Sequence, residues 1–186
     1  MKEAGLTTSL DMAAVDPDSD AGKADWGKIL EKVLPYVDYF VPSAEELCFM
    51  ADRPRYEEWM TRAAGGDVTS VISVEEDIRP LAKRVLDMGA SCLLIKCGAP
   101  GMYFTDGKKE IFERSYKPER VLSGTGAGDT SIAAFLKARM EGRSIEESLH
   151  LAAATGASCV EAYDALGGLR SFEELERRIN EGWEKL

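Results

Sequence analysis

The 186-residue sequence contains a single histidine, His150, which leaves little for a zinc site or a histidine-based triad; a polar residue on a helix is its simpler role. Cys48, Cys92, Cys97 and Cys159 form no C-x-x-C pair. Most sit in apolar stretches such as Ser91-Cys92-Leu93-Leu94-Ile95, so they read as reduced, buried thiols of a cytoplasmic protein rather than as a disulfide framework. Positive charge is also scarce. With 23 Lys and Arg against 33 Asp and Glu, the formal net charge of -10 argues against a surface built for nucleic-acid phosphates or an anionic membrane. No apolar run approaches the ~20 residues needed to cross a bilayer. The opening Met1-Lys2-Glu3-Ala4-Gly5 has no apolar core of the kind a secretory signal requires, so none is expected.

What remains is a chain whose hydrophobic content, 45%, suffices for a packed core, and residues 1–186 read as one α/β domain. Gly5 to Asp11 reads as a buried strand meeting a loop at an aspartate, and Tyr39-Phe40-Val41 as a strand stopped by Pro42. Apolar spacings of three and four predict helices over 25–37 and 73–88, the second ended by Gly89. A further helix should run from Ser43 to about Ala51, and one from Arg53 toward a loop at Gly65-Gly66. Ser91 to Lys96 has the continuous apolar character of a strand buried on both faces. Gly101–Phe104 and Glu110–Phe112 suggest an antiparallel extension around Thr105-Asp106-Gly107. Helices are expected over about 127–141, 145–162 and 172–185. Strands alternating with helices, then a helical tail, predict a layered α/β fold with a mainly parallel sheet. Ser43, Ser73, Ser144 and Ser171 each precede a glutamate by three residues, the capping-box spacing by which this chain opens helices.

The segment Gly124-Thr125-Gly126-Ala127-Gly128-Asp129-Thr130 carries the chemistry. Three glycines ahead of a long helix leave backbone N–H groups exposed at its N-terminus, where the helix dipole also favours an anion. No Gly-Lys-Ser/Thr follows, so this is not a Walker A loop, and G-x-G-x-G-D does not match the dinucleotide G-x-G-x-x-G spacing. Amides that stabilise a transferring phosphoryl group beside a carboxylate that accepts a hydroxyl proton would make a kinase. A glycine-rich turn in which Asp129 merely favours the helix dipole fits the spacing equally well.

The segment Gly124 to Phe135 resembles the C-terminal signature of the PfkB, or ribokinase-like, family of carbohydrate kinases. Leu94-Ile95-Lys96-Cys97-Gly98-Ala99-Pro100-Gly101 is similar to the strand and glycine turn that border the nucleotide there, and Phe40-Val41-Pro42-Ser43-Ala44-Glu45-Glu46 to the family's N-x-x-E segment. The resemblance implies a three-layer ribokinase-like fold in which Asp129 is the catalytic base and the amides of Gly126, Ala127, Gly128 and Asp129 form an anion hole. It further implies that Lys96, Gly98, Gly101, Gly124, Thr125 and Ala153 border ATP and that Glu46 helps organise Mg²⁺. By the same resemblance the chain corresponds to the C-terminal two thirds of a typical member, without the first strands, the early Gly-Gly sugar motif and the β lid. The acceptor would be a sugar or sugar-like small molecule, from ribose and fructose-like sugars to deoxy-keto-sugar acids and nucleosides. The family leaves room for a homodimer.

Departures matter. Ser43 replaces the usual asparagine, and Glu46 is equally explained as a capping-box residue. Ser123, a neutral hydroxyl where many relatives carry an aspartate near a monovalent cation, weighs against K⁺ activation. Lys96 can reach a phosphate or point to solvent, and Ala153 stands where relatives have an asparagine, leaving that side of the adenine pocket apolar. Two other functions compete: a non-catalytic fragment that binds nucleotide or a partner, and a dinucleotide-binding oxidoreductase. The second needs a G-x-G-x-x-G after the first strand, and Gly5 to Asp11 has none.

Overall fold

The computed structural model describes residues 2–186. Five strands, β1 (Ser9–Leu10), β2 (Tyr39–Phe40), β3 (Cys92–Lys96), β4 (Gly101–Thr105) and β5 (Glu110–Arg114), follow one another in that order in a single sheet. The pairs β1·β2 and β2·β3 are parallel, with Leu10 opposite Phe40 and Phe40 opposite Leu93. Helices α1 (Trp26–Val33), α2 (Ala44–Ala51), α3 (Arg53–Ala63), α4 (Arg79–Asp87), α5 (Ala127–Met140), α6 (Ile145–Cys159) and α7 (Phe172–Asn180) complete the expected α/β pattern. No helix among the described residues is long and apolar enough to cross a membrane.

Contacts divide the chain into two compact units, one of residues 1–97 with 103–111 and one of 98–102 with 112–186. In the first unit α2 and α4 pack on β3. Phe40, Leu93 and Ile95 are fully buried there, which explains the unbroken apolar run of β3. The second unit is built on α5 packed along α6, with α7 against α6. A run of small residues, Ala152 to Ala154 and Ala157, lets these helices approach closely.

Three expected helices and one strand differ from their observed form. The 73–88 segment opens as a π turn over Val74–Ile78 before α4, with Ile78 N–H donating five residues back to Ser73 O at 3.1 Å. The cause is Pro80, which cannot donate to Glu76 O. That carbonyl accepts instead from the Arg55 guanidinium at 2.8 Å. The 172–185 helix stops at Asn180, because Gly182 takes φ +92° and turns the chain back. Lys185 then pairs antiparallel with Tyr116, and the Trp183 indole donates to Lys117 O at 2.7 Å. The strand expected over Gly5–Asp11 is reduced to Ser9–Leu10, and the helix expected over 25–37 tightens into a 3₁₀ turn at Leu34–Tyr36, where Pro35 sits.

Capping follows the serine spacing closely. Ser43 and Ser144 make complete reciprocal boxes with Glu46 and Glu147. Ser73 and Ser171 cap with the hydroxyl, and the Ser73 amide turns to Asp77 at 2.8 Å.

Candidate active site

The second unit holds the glycine-rich helix start. The loop before it is tied to the end of α6: Leu122 and Ser123 N–H both donate to Val160 O, at 2.8 and 3.4 Å. Thr125 N–H donates to Ser123 Oγ at 3.1 Å, so Ser123 acts here as a loop brace. The Cys159 thiol reaches Ala165 O at 3.4 Å and Thr125 O at 3.7 Å. Gly126 then adopts φ +80°, and a Cβ added to it would lie 2.5 Å from Ala165 Cβ. Both conformation and space demand glycine.

Helices α1, α2, α3, α6 and α7 start with an aspartate or serine side chain that accepts from their first turn, whereas α5 starts at Gly126 with no side-chain cap. Four amides at such an end lack intrahelical acceptors. Ala127 N–H donates to Gly124 O at 3.2 Å, closing the turn. The amides of Gly126, Gly128 and Asp129 have no acceptor among the described residues. Asp129 is exposed, and its carboxylate makes no hydrogen bond or ion pair among them. The acid and three N–H groups without acceptors thus share the first turn of α5, and this end of the helix dipole attracts an anion.

The other expected nucleotide residues of this unit fall in two classes. Gly98 is exposed at a turn in which Gly101 N–H donates to Gly98 O at 3.1 Å. Gly101 is buried, its missing Cβ allowing Glu113 O to approach to within 2.1 Å of the Cβ position, so it serves the passage of β5. Ala153 is buried in α6, 3% exposed, as core rather than as open surface. His150 sits on the outer face of α6 with Nε2 3.3 Å from the carboxylate of the buried Glu113, which Lys185 also pairs. This fulfils its expected role as a helix polar residue. A crevice of about 440 Å³ lined by Lys117, Arg178 and Trp183, among others, includes none of the expected site residues.

In the first unit the carboxyl ends of the parallel strands gather Asp11, Ser43 and Lys96, the side of such a sheet where ligands bind. Lys96 does not point to solvent. It spans the intervening strand to Asp11, with Nζ 2.8 and 3.0 Å from the two carboxylate oxygens. Asp11 is the residue of this group that sequence reasoning passed over; its signal was an aspartate directly after a strand. Glu46 accepts from Ser43 N–H through Oε2 at 2.8 Å, and Oε1 has no partner among the described residues.

Glu45 and Glu46 together line a cavity of about 120 Å³ with Ala14, Val15, Ser43, Phe49 and Tyr56. Burial, and then the nearby charges of Asp67 and Glu46, hold the Glu45 carboxyl above its ordinary range. Among the described residues no three His, Cys, Asp or Glu side chains form a ready cation cage. One free carboxylate oxygen in an acidic cavity fits Mg²⁺, which keeps most of its waters and takes the remainder of its ligands from phosphates.

Comparison with known proteins shows the family of the chain. Residues 6–170 match the pfkB family carbohydrate kinases. The chain is 27% identical over 166 residues to an uncharacterized sugar kinase of Archaeoglobus fulgidus, covering 88% of this chain and 56% of the relative. It is 28% identical over 167 residues to a ribokinase of Arabidopsis thaliana, covering 89% and 37%. The structure of Arabidopsis thaliana ribokinase complexed with ribose and ATP superposes with a TM-score of 0.71 at 25% identity, over 95% of this chain and 48% of that one. The nucleoside kinase of Methanocaldococcus jannaschii shares the fold, with a TM-score of 0.62 at 20% identity over 94% and 48%. The chain thus spans about half the length of the relatives it matches. With the family match taking in most of its residues, the chain belongs to the pfkB family of carbohydrate kinases.

Proposed function

We propose that the protein takes part in ATP-dependent transfer of the γ-phosphoryl group to a hydroxyl of a sugar or sugar-like molecule, with Asp129 as base. The observation that carries this is the uncapped start of α5, whose first turn holds three amides without acceptors and an exposed, unpaired carboxylate. In the transfer the acceptor oxygen bonds to the γ-phosphorus as the bond to the β–γ bridging oxygen breaks. ADP leaves, and the hydroxyl proton passes to Asp129. The Gly126, Gly128 and Asp129 amides stabilise charge on the migrating group. Ala127 can join them once its turn bond to Gly124 is released. Gly124, Thr125 and the exposed Gly98 turn then border the nucleotide, with Gly101 and Ala153 supporting from the core.

Glu46 would hold Mg²⁺ through its free oxygen and intervening waters, and the metal when bound neutralises phosphate charge. Lys96, oriented by Asp11, contributes positive charge at the strand ends. Residues 1–186 act as one domain in this reading, in the cytoplasm, on a small-molecule acceptor; nucleic acid and membranes play no part.

Calorimetric titration with MgATP, with NAD as control, combined with turnover assays on a panel of sugars and nucleosides, tests the proposal. Micromolar to millimolar MgATP binding with sugar-dependent ADP release is expected. Binding without turnover on any acceptor would favour a non-catalytic nucleotide-binding role. No binding of MgATP, or preferential binding of NAD, would overturn the kinase reading.

A further inference from the structure

Directly behind the uncapped helix start lie two buried hydroxyls that the transfer step does not use, Thr130 and Ser131, 8% and 6% exposed. Thr130 Oγ donates to Gly126 O at 2.8 Å and lies 3.3 Å from Ala127 O. Ser131 Oγ donates to Ala127 O at 2.6 Å. Those carbonyls belong to the same peptide groups as the Ala127 and Gly128 N–H groups. A hydrogen bond accepted at the oxygen of a peptide restrains its plane and makes its N–H a stronger donor. Gly128 N–H is one of the three amides without an acceptor, so the short Ser131 contact acts on a donor free to meet an anion.

Local stability does not account for this pair, because serine and threonine hydroxyls that bond back to the preceding turn weaken and bend a helix. The neighbouring helix also gives way to it. A Cβ on Gly156 of α6 would lie 2.5 Å from Ser131 Oγ, and glycine inside a helix is unfavourable in its own right. We propose that Ser131, assisted by Thr130, is a positioning residue that holds and polarises the Ala127–Gly128 peptide so that Gly128 N–H is presented to the phosphoryl group. This inference rests on the anion site read above.

Amide spectra of the ¹⁵N-labelled chain titrated with MgATP separate the two claims. In the natural protein the Gly126, Gly128 and Asp129 amides should shift. Ser131→Ala should weaken MgATP roughly 5-fold, the scale of one lost hydrogen bond, and shrink the Gly128 shift most. Gly156→Ala, which crowds the hydroxyl, should act in the same direction. Thr130→Val should weaken binding while Thr130→Ser, which keeps the hydroxyl, should restore it. Thr155 Oγ makes the same kind of back-bond to Leu151 O at 2.7 Å in mid-helix, so Thr155→Val, which removes that bond and keeps the side-chain shape, should leave the MgATP affinity unchanged without lowering the melting temperature. The proposal fails if Ser131→Ala retains the natural affinity and Gly128 shift, or if Thr155→Val loses as much affinity. Absence of any shift at residues 126–129 in the natural protein would overturn the anion site itself, and this inference with it.

Discussion

Two aspartates, one in each unit, show how differently this chain treats a carboxylate. Asp77 in the first unit is 4% exposed and fully engaged: the Trp59 indole donates at 3.0 Å, the Ser73 amide at 2.8 Å, and Arg55 and Arg62 pair at 3.2 and 3.0 Å. Burial pushes its carboxyl up, but the Ser73 amide, the Trp59 N–H and the Arg62 guanidinium outweigh burial and hold it below the usual carboxylate range. Asp129 in the second unit is exposed and unpaired, beside a helix start stripped of its cap. The first arrangement fixes the junction of α3 with the π turn before α4. The second leaves the carboxylate and three amides open to solvent, where the proposed reading has them meet a ligand.

The contrast breaks if exchanging either carboxylate has the wrong consequence. Asp129→Asn should lower turnover by roughly 10²- to 10⁴-fold while MgATP affinity and melting temperature stay close to natural; steady-state kinetics beside calorimetry would show it. Asp77→Asn should do the reverse, destabilising the fold by about 3–5 kcal/mol at pH 7 with unchanged activity per folded molecule. Because the folded carboxyl titrates below its unfolded value of about 3.9, the stabilisation is complete above that pH. It disappears as pH falls through the lower folded value. Denaturant melts of the two proteins should therefore converge in acid, and a constant gap down to pH 2 would contradict the assignment.

Smaller changes sharpen the comparison. Gly126→Ala should cost about 1–2 kcal/mol from its left-handed conformation alone, before the clash with Ala165, and should weaken MgATP. Glu46→Gln keeps an oxygen for the Ser43 amide and removes the charge. A raised Mg²⁺ requirement with a melting temperature within a degree or two would support the metal role, whereas no change in either would leave Glu46 as a cap alone.

Much of this was legible from sequence where a local rule and the tertiary environment agree. The run Leu93–Ile95 is apolar because both faces of β3 are covered there, and Ser43 and Ser144 cap as their spacing demands. The helix start at Gly124 to Asp129 was likewise readable as backbone structure, with Gly126 in the left-handed conformation just ahead of α5. Legibility failed where a distant partner decided the outcome. Leu175, Ile179 and Trp183 keep helical spacing, yet Trp183 leaves the helix to bond Lys117 O, a contact 66 residues away that no periodicity records. Pro80 inside the 73–88 pattern was a local warning of the π turn. The Lys96–Asp11 pair joins residues 85 apart in sequence, so neither the direction of the lysine nor the partner of the aspartate could be judged from neighbours.

The most direct test is a crystal structure of the chain with MgADP and aluminium fluoride, which mimics a phosphoryl group in transfer. The account predicts fluoride atoms within about 3 Å of the Gly126, Gly128 and Asp129 amides, with the Asp129 carboxylate facing the side opposite ADP. An aluminium fluoride group seated elsewhere, with these amides still unengaged, would contradict it.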